Sequence, residues 1–240
     1  MDNLNLGDKH RNAVNKFTDS LKNIYGDGLV AVFLYGSAAS GEFVKQDSDL
    51  NLLVVLNRAE PQDLKKASKL VRGAGRINPL FLSKDHILRS LDVFPIEFLD
   101  MQENHALIYG TDILKDVSID IRHLRFQCEQ ELKEKLINLK QAYLKSSHQP
   151  KILRRLLFEA FNPVLHVARN LLRLKGHKAP YLKEDILKEL SEKFKINAAG
   201  WQKMLTAKNN RIKISASEAE ELFIGFLKGL EELADIADKL

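Results

Sequence analysis

Two hydrophobic rhythms run along this chain, and the switch between them divides it. Val14, Phe17, Leu21 and Ile24 recur at helical spacing over residues 8 to 25, which predicts an amphipathic helix. Gly26-Asp27-Gly28 ends it. Leu29 to Tyr35 carries no charge and predicts a central strand covered on both faces. Leu50 to Leu56 predicts the next strand. Glu60 to about Gly73, with Leu64, Ala67, Leu70 and Val71 on one side, predicts a helix. A short strand over 78 to 82 and a short helix over 84 to 90 follow. The alternation from Val93 to Met101 predicts another strand, at an edge or starting at Pro95. Residues 104 to 109 then predict a short helix closed by Gly110.

From about Asp120 only the helical period remains. Leu124, Cys128, Leu132, Leu136, Leu139 and Tyr143 define a helix over 122 to 146. A second long helix over 151 to 174 is predicted to kink or restart at Asn162-Pro163. Three more are predicted over 183 to 194, 198 to 207 and 215 to 240, the last with a capping box from Ser215 to Glu218. The expected organisation is α+β: a mixed sheet with helices over residues 1–117, then an all-α helical bundle over 118–240.

The bulk numbers narrow the classes. The 240 residues are 45% hydrophobic and 29% charged, as in a globular protein, and no apolar run is long enough to cross a bilayer. The N-terminus shows no basic patch followed by an apolar core, so no signal peptide is expected. A single cysteine, Cys128, excludes an internal disulfide framework and a cysteine-rich zinc site. A cytoplasmic location is the expectation that follows. The net charge of +5 and pI near 9.1 suit phosphate-bearing ligands or RNA, although the interleaving of Lys and Arg with acids also describes an ordinary solvated surface.

The chemistry concentrates at Phe33-Leu-Tyr-Gly-Ser37, followed after eleven residues by Asp49-Leu-Asn-Leu-Leu-Val-Val55. A strand ends in Gly-Ser, a polar loop follows, and the next strand opens with Asp47, Asp49 and Asn51 at alternate positions, which face one way. Polar oxygens beside a glycine turn can hold a divalent cation next to a phosphate. This stretch resembles the signature of the nucleotidyltransferase superfamily that includes DNA polymerase beta and kanamycin nucleotidyltransferase: apolar, Gly, Gly or Ser, a spacer of roughly ten residues, then Asp-apolar-Asp or Glu. Gly36, Ser37 and Asp49 match it. Asn51 departs from it, standing where a second carboxylate is expected. More broadly the chain resembles bacterial nucleotidyltransferase-like proteins with a helical C-terminal half.

The resemblance implies a metal-dependent transfer of a nucleotidyl group from a nucleoside triphosphate, with ATP as the abundant default, to an acceptor hydroxyl held between the two halves. Gly36 and Ser37 would hold phosphates, and Lys45 would meet phosphate oxygens or remain a solvated loop lysine. Asp49, Asn51 and Glu97 would be the catalytic and metal positions for Mg²⁺ or Mn²⁺, with Glu97 as the acceptor-side carboxylate because a charge between apolar neighbours in a strand needs a reason. Asp100 is the alternative to Glu97. An amide is neutral and offers one oxygen, so Asn51 leaves three outcomes open: catalysis with a neutral ligand, catalysis with one metal, or nucleotide binding without turnover. In the last case the chain is a regulatory module whose helical half acts on a protein or RNA.

The acceptor stays open among a small molecule, a protein and an RNA, and a homodimer through the helical half is compatible with each reading. Tyr35 is expected to pack, and His105 to bond local backbone or orient an acceptor. Arg169, Arg173, Lys175 and His177 form a basic helix end that complements the helix dipole or contacts phosphate. Neither Arg169 nor Arg173 has the spacing to His177 that ribonucleolytic partners of nucleotidyltransferases use.

Overall fold

The computed structural model describes residues 6–40, 49–146, 149–210 and 214–240. Its contacts divide the chain into Met1–Ile119 and Asp120–Leu240.

The N-terminal unit is built on a four-stranded mixed sheet: β1 (Leu29–Tyr35), β2 (Leu50–Leu56), β3 (Ile77–Ser83) and β4 (His105–Gly110), in the order β3-β2-β1-β4. β1 runs antiparallel to both neighbours, and β2 and β3 are parallel. The parallel pair needs a crossover, which α3 (Pro61–Arg72) supplies. The two central strands are near-continuous apolar runs because both faces are covered. On one face Leu34, Leu52 and Val54 pack with Val14, Phe17 and Leu21 of α1 (Asp8–Tyr25). On the other, Phe33, Leu53 and Val55 pack with Ile87 of α4 (Lys84–Arg89) and with Phe98 and Met101 of α5 (Pro95–Glu103). A short helix, α2 (Ser37–Ser40), follows β1.

The segment 93 to 110 reverses the expectation from sequence. The predicted strand is the helix α5, and the predicted helix is the strand β4. Pro95 occupies the first turn of α5, where its missing N–H costs nothing. The burial of Phe98 and Met101, three apart, is helical although Ile96-Glu97-Phe98 reads as alternation. β4 lies at the edge and pairs only with β1 among the described residues. None of its residues is fully buried, so it lacks the apolar signature of the central strands.

In the C-terminal unit, α6 (Ile121–Lys145), α7 (Pro150–Leu174) and α10 (Ala216–Lys239) pack on one another, with α8 (Lys183–Phe194) and α9 (Ala199–Asn209) against them. α7 runs through Pro163 as one element. One lost backbone bond is offset by the burial of Phe161, Val164, Leu165 and Val167 on either side. Trp201 lies 4.9 Å from the Phe226 ring and 6.5 Å from that of Phe161, centroid to centroid. Ser215 accepts from the Glu218 N–H at 3.3 Å, and Glu218 accepts from the Ser215 N–H at 2.9 Å, completing the capping box. Among the described residues no helix is long and apolar enough to cross a membrane.

Candidate functional site

Side chains alternate along a strand, so the polar residues that interrupt an apolar run are pushed to its ends, where the sheet meets solvent. The C-terminal end of β1 and the N-terminal ends of β2 and β3 share one such edge. β1 stops at Gly36, whose φ of +73° favours a residue without a Cβ. The chain turns there, with the Ala39 N–H donating to the Gly36 carbonyl at 2.9 Å, and Ser37 opens α2.

Asn51 enters from the facing strand. Its Cα is paired with Tyr35 of β1 on one side and with Asn78 of β3 on the other. A Cβ at position 36 would lie 3.2 Å from Asn51 Nδ2, so the glycine and the amide are near neighbours. Asn78 Nδ2 donates to Asn51 Oδ1 at 3.3 Å. Asp49 is exposed and sits just before β2, where the Leu50 N–H is held by the Arg76 carbonyl at 2.9 Å. The structure therefore gathers Gly36, Ser37, Asp49 and Asn51 at one sheet edge. Lys45 and Asp47 lie outside the described residues.

Glu97 is not on a strand. It occupies the first turn of α5, so it is not a charge set between apolar neighbours of a strand. α5 does pack on the face that Asn51 shares by alternation with Leu53 and Val55. Asp100, the alternative, is in the body of the same helix. Asn78 is the residue that sequence reasoning passed over. Its signal was the repeated start of two strands, Leu50-Asn51 and Ile77-Asn78, which parallel pairing sets side by side.

Tyr35 packs against the second core face, and burial pushes its phenol above the usual range. The His105 ring is held from both sides. Nδ1 faces the Met101 carbonyl at 2.8 Å, Nε2 faces Asp112 Oδ2 at 3.1 Å, and Phe33 lies edge-on. That ring ties β4 to α5 and to the segment after the strand. In the C-terminal unit Arg169 and Arg173 are 6% and 7% exposed. The Arg169 guanidinium lies 4.0 Å from the Tyr181 ring centre, and Arg173 donates to Asn170 Oδ1 and to the Tyr181 hydroxyl. Both side chains are engaged inside their own unit, as packing and dipole complementarity require.

The donor set at the sheet edge decides what ion it suits. Two ions clamping a transferring phosphoryl group need several carboxylates. Among the described residues this edge presents one carboxylate and two amides, one amide oxygen already accepting a hydrogen bond. Among the described residues no group of three or more His, Cys, Asp or Glu side chains could hold a metal ion. Asp49 would be the protein ligand of one Mg²⁺ or Mn²⁺ arriving on a triphosphate, since magnesium is commonly bound by a single carboxylate plus phosphates and water.

The nucleotidyltransferase domain family matches residues 14–143, more than half of the 240-residue chain. Among solved structures, the spectinomycin adenyltransferase AAD(9) from Enterococcus faecialis, crystallised with ATP and spectinomycin, superposes with a TM-score of 0.61. The superposition covers 95% of this chain and 99% of that one at 14% sequence identity, a likeness of fold. No curated protein sequence matches the chain significantly.

Proposed function

This chain belongs to the nucleotidyltransferase domain family, and we propose that its N-terminal unit binds a nucleoside triphosphate, ATP first among them, and transfers the nucleotidyl group to an acceptor hydroxyl. The observation that carries this reading is the edge itself: a positive-φ glycine ending β1, directly beside Asn51 of β2, with Asp49 exposed just before that strand. The acceptor is a hydroxyl on a small molecule, a protein or an RNA. The solved neighbour was crystallised with ATP and a small-molecule antibiotic, which supports ATP as the first donor to try and a small molecule as the first acceptor class.

Gly36 and Ser37 bind triphosphate oxygens, the glycine because its missing Cβ allows close approach. Asp49 would hold one divalent ion, which lowers the charge of the bound triphosphate. The acceptor oxygen bonds to the α-phosphorus, the bridging P–O bond to the β-phosphate breaks, and pyrophosphate leaves with that electron pair. Glu97, on the helix packed against the same face, is assigned the hydroxyl proton.

Titration of a non-hydrolysable ATP analogue with Mg²⁺ or Mn²⁺ tests the binding step. Wild type should bind, and the part of the affinity that metal adds should vanish in Asp49→Ala. Pyrophosphate release with an acceptor panel tests the chemistry, with Glu97→Gln expected to lower turnover by 10²-fold or more, as for loss of a general base. The amide pair Asn51–Asn78 favours a second reading, a nucleotide-binding module without turnover that acts through its helical unit. Asn51→Asp separates the two: a strong rise in pyrophosphate release marks the natural site as impaired at that position, and a measurable wild-type rate that the substitution leaves unchanged keeps the transferase reading with a neutral residue 51.

A further inference from the structure

An amide is not merely a weak carboxylate. It has a donor end, and in this site the donor end points toward the turn. Amide oxygen and nitrogen are assigned by the partners they meet. Here Asn51 Oδ1 accepts from Asn78 Nδ2 at 3.3 Å, while Asn51 Nδ2 faces Gly36, 3.2 Å from where a Cβ would stand. Resting on the nucleotide-binding reading above, we propose that Asn51 donates an N–H directly to a phosphate oxygen of a nucleotide seated at Gly36–Ser37, and that Asn78 is the positioning residue that keeps the amide turned that way.

The electrostatic reason is simple. A carboxylate beside a phosphate is two anions, and only a cation between them makes the arrangement favourable. A carboxylate at position 51 would therefore act on phosphate through a metal. An amide N–H is complementary to phosphate with nothing in between, and hydrogen bonds to a charged acceptor are among the stronger ones. Replacing the expected carboxylate by Asn51 removes a metal ligand and adds a direct phosphate contact at the same place.

The geometry supports the assignment of Asn78. β2 and β3 run parallel in register, so Asn51 and Asn78 stand side by side at equivalent strand positions. Asn51 is half-buried and Asn78 is exposed at the rim. Parallel register therefore brings to residue 51 a partner with its own amide, which can take up the Asn51 oxygen and leave the nitrogen for the turn.

The test is calorimetric titration of α,β-methylene-ATP into the full chain, in EDTA and in Mg²⁺, for wild type, Asn51→Ala, Asn78→Ala and Asn78→Asp. Melting curves check that each variant is folded. Wild type should retain measurable binding in EDTA. Asn51→Ala should weaken binding about tenfold or more in EDTA and by a similar factor in Mg²⁺. Asn78→Ala should cost only about threefold, because it frees the amide to rotate without removing it. Asn78→Asp should cost more than Asn78→Ala, since a carboxylate only accepts: it draws the Asn51 NH₂ toward itself and turns the amide oxygen to the phosphate.

Two results overturn the proposal in distinguishable ways. If Asn51→Ala leaves EDTA binding unchanged and weakens only the Mg²⁺-dependent part, residue 51 is a metal ligand and the nucleotide reading survives alone. If folded wild type binds no analogue in either condition, both readings fall.

Discussion

In the C-terminal unit, Asn170 lies inside α7 with no exposed surface, donating to the His166 carbonyl at 2.9 Å and accepting from Arg173. In the N-terminal unit, Asn51 stands at the end of a strand, half-buried, with one amide partner and its NH₂ directed at a glycine turn. The side chain is the same and its use is opposite. A buried helix position must satisfy the amide internally, since an unmet buried polar group is costly. A strand end meets solvent, so its amide can keep bonding capacity for a ligand. The contrast shows where each unit puts polarity: the bundle uses it to fix side chains in place, and the sheet edge presents it.

The largest expected effect that tests this contrast is Asn170→Ala. It removes an acceptor from the buried Arg173 guanidinium and should lower stability by about 3 kcal/mol, read by denaturant titration. Gly36→Ala comes next, at about 1–2 kcal/mol, because a side chain at φ +73° is strained and the new Cβ would press on Asn51 Nδ2 at 3.2 Å. Its nucleotide affinity should fall as well, which a purely structural glycine would not require.

Ser215→Ala should cost about 1 kcal/mol through loss of the helix cap. The same cap has a pH signature. The hydrogen bond from Lys203, then those from Ser215, hold the Glu218 carboxyl at about 2 against an ordinary value of 4.5. A group whose pKa is lower folded than unfolded stabilises the fold above its ordinary value, and that contribution is lost as the pH falls from about 4.5 to about 2. Lys203→Ala, which removes the larger of these bonds, should therefore flatten the acid-unfolding profile across this window, and Ser215→Ala should flatten it less, since the Lys203 and backbone bonds remain. Asn51→Ala should change stability by less than about 0.5 kcal/mol, as expected for a rim position. A loss there as large as at Asn170 would collapse the comparison, because Asn51 would then be holding the fold.

Legibility in the sequence followed burial. β1 and β2 were readable because they are buried on both faces and must be apolar throughout, and α1, α8 and α10 because each keeps one apolar face at the helical period. The stretch from 93 to 110 was misread where that pressure is weak. α5 is nine residues long and opens with a proline, and β4 is an edge strand with no fully buried residue. Of the site, the Gly-Ser turn and Asp49 were visible as a motif. Glu97 reads from sequence as a strand charge and lies instead in the first turn of a helix.

The sequence alone determined the α+β class, the apolar strands β1 and β2, the glycine that ends β1, and the amide at position 51, because each follows from local chemistry: periodicity, a residue without a Cβ, a neutral side chain. Only the tertiary structure decided that Asn78 stands beside Asn51. The two residues lie on either side of α3, and what joins them is the parallel register of β2 and β3, a pairing set by burial of both strands in one sheet and carried by neither segment by itself.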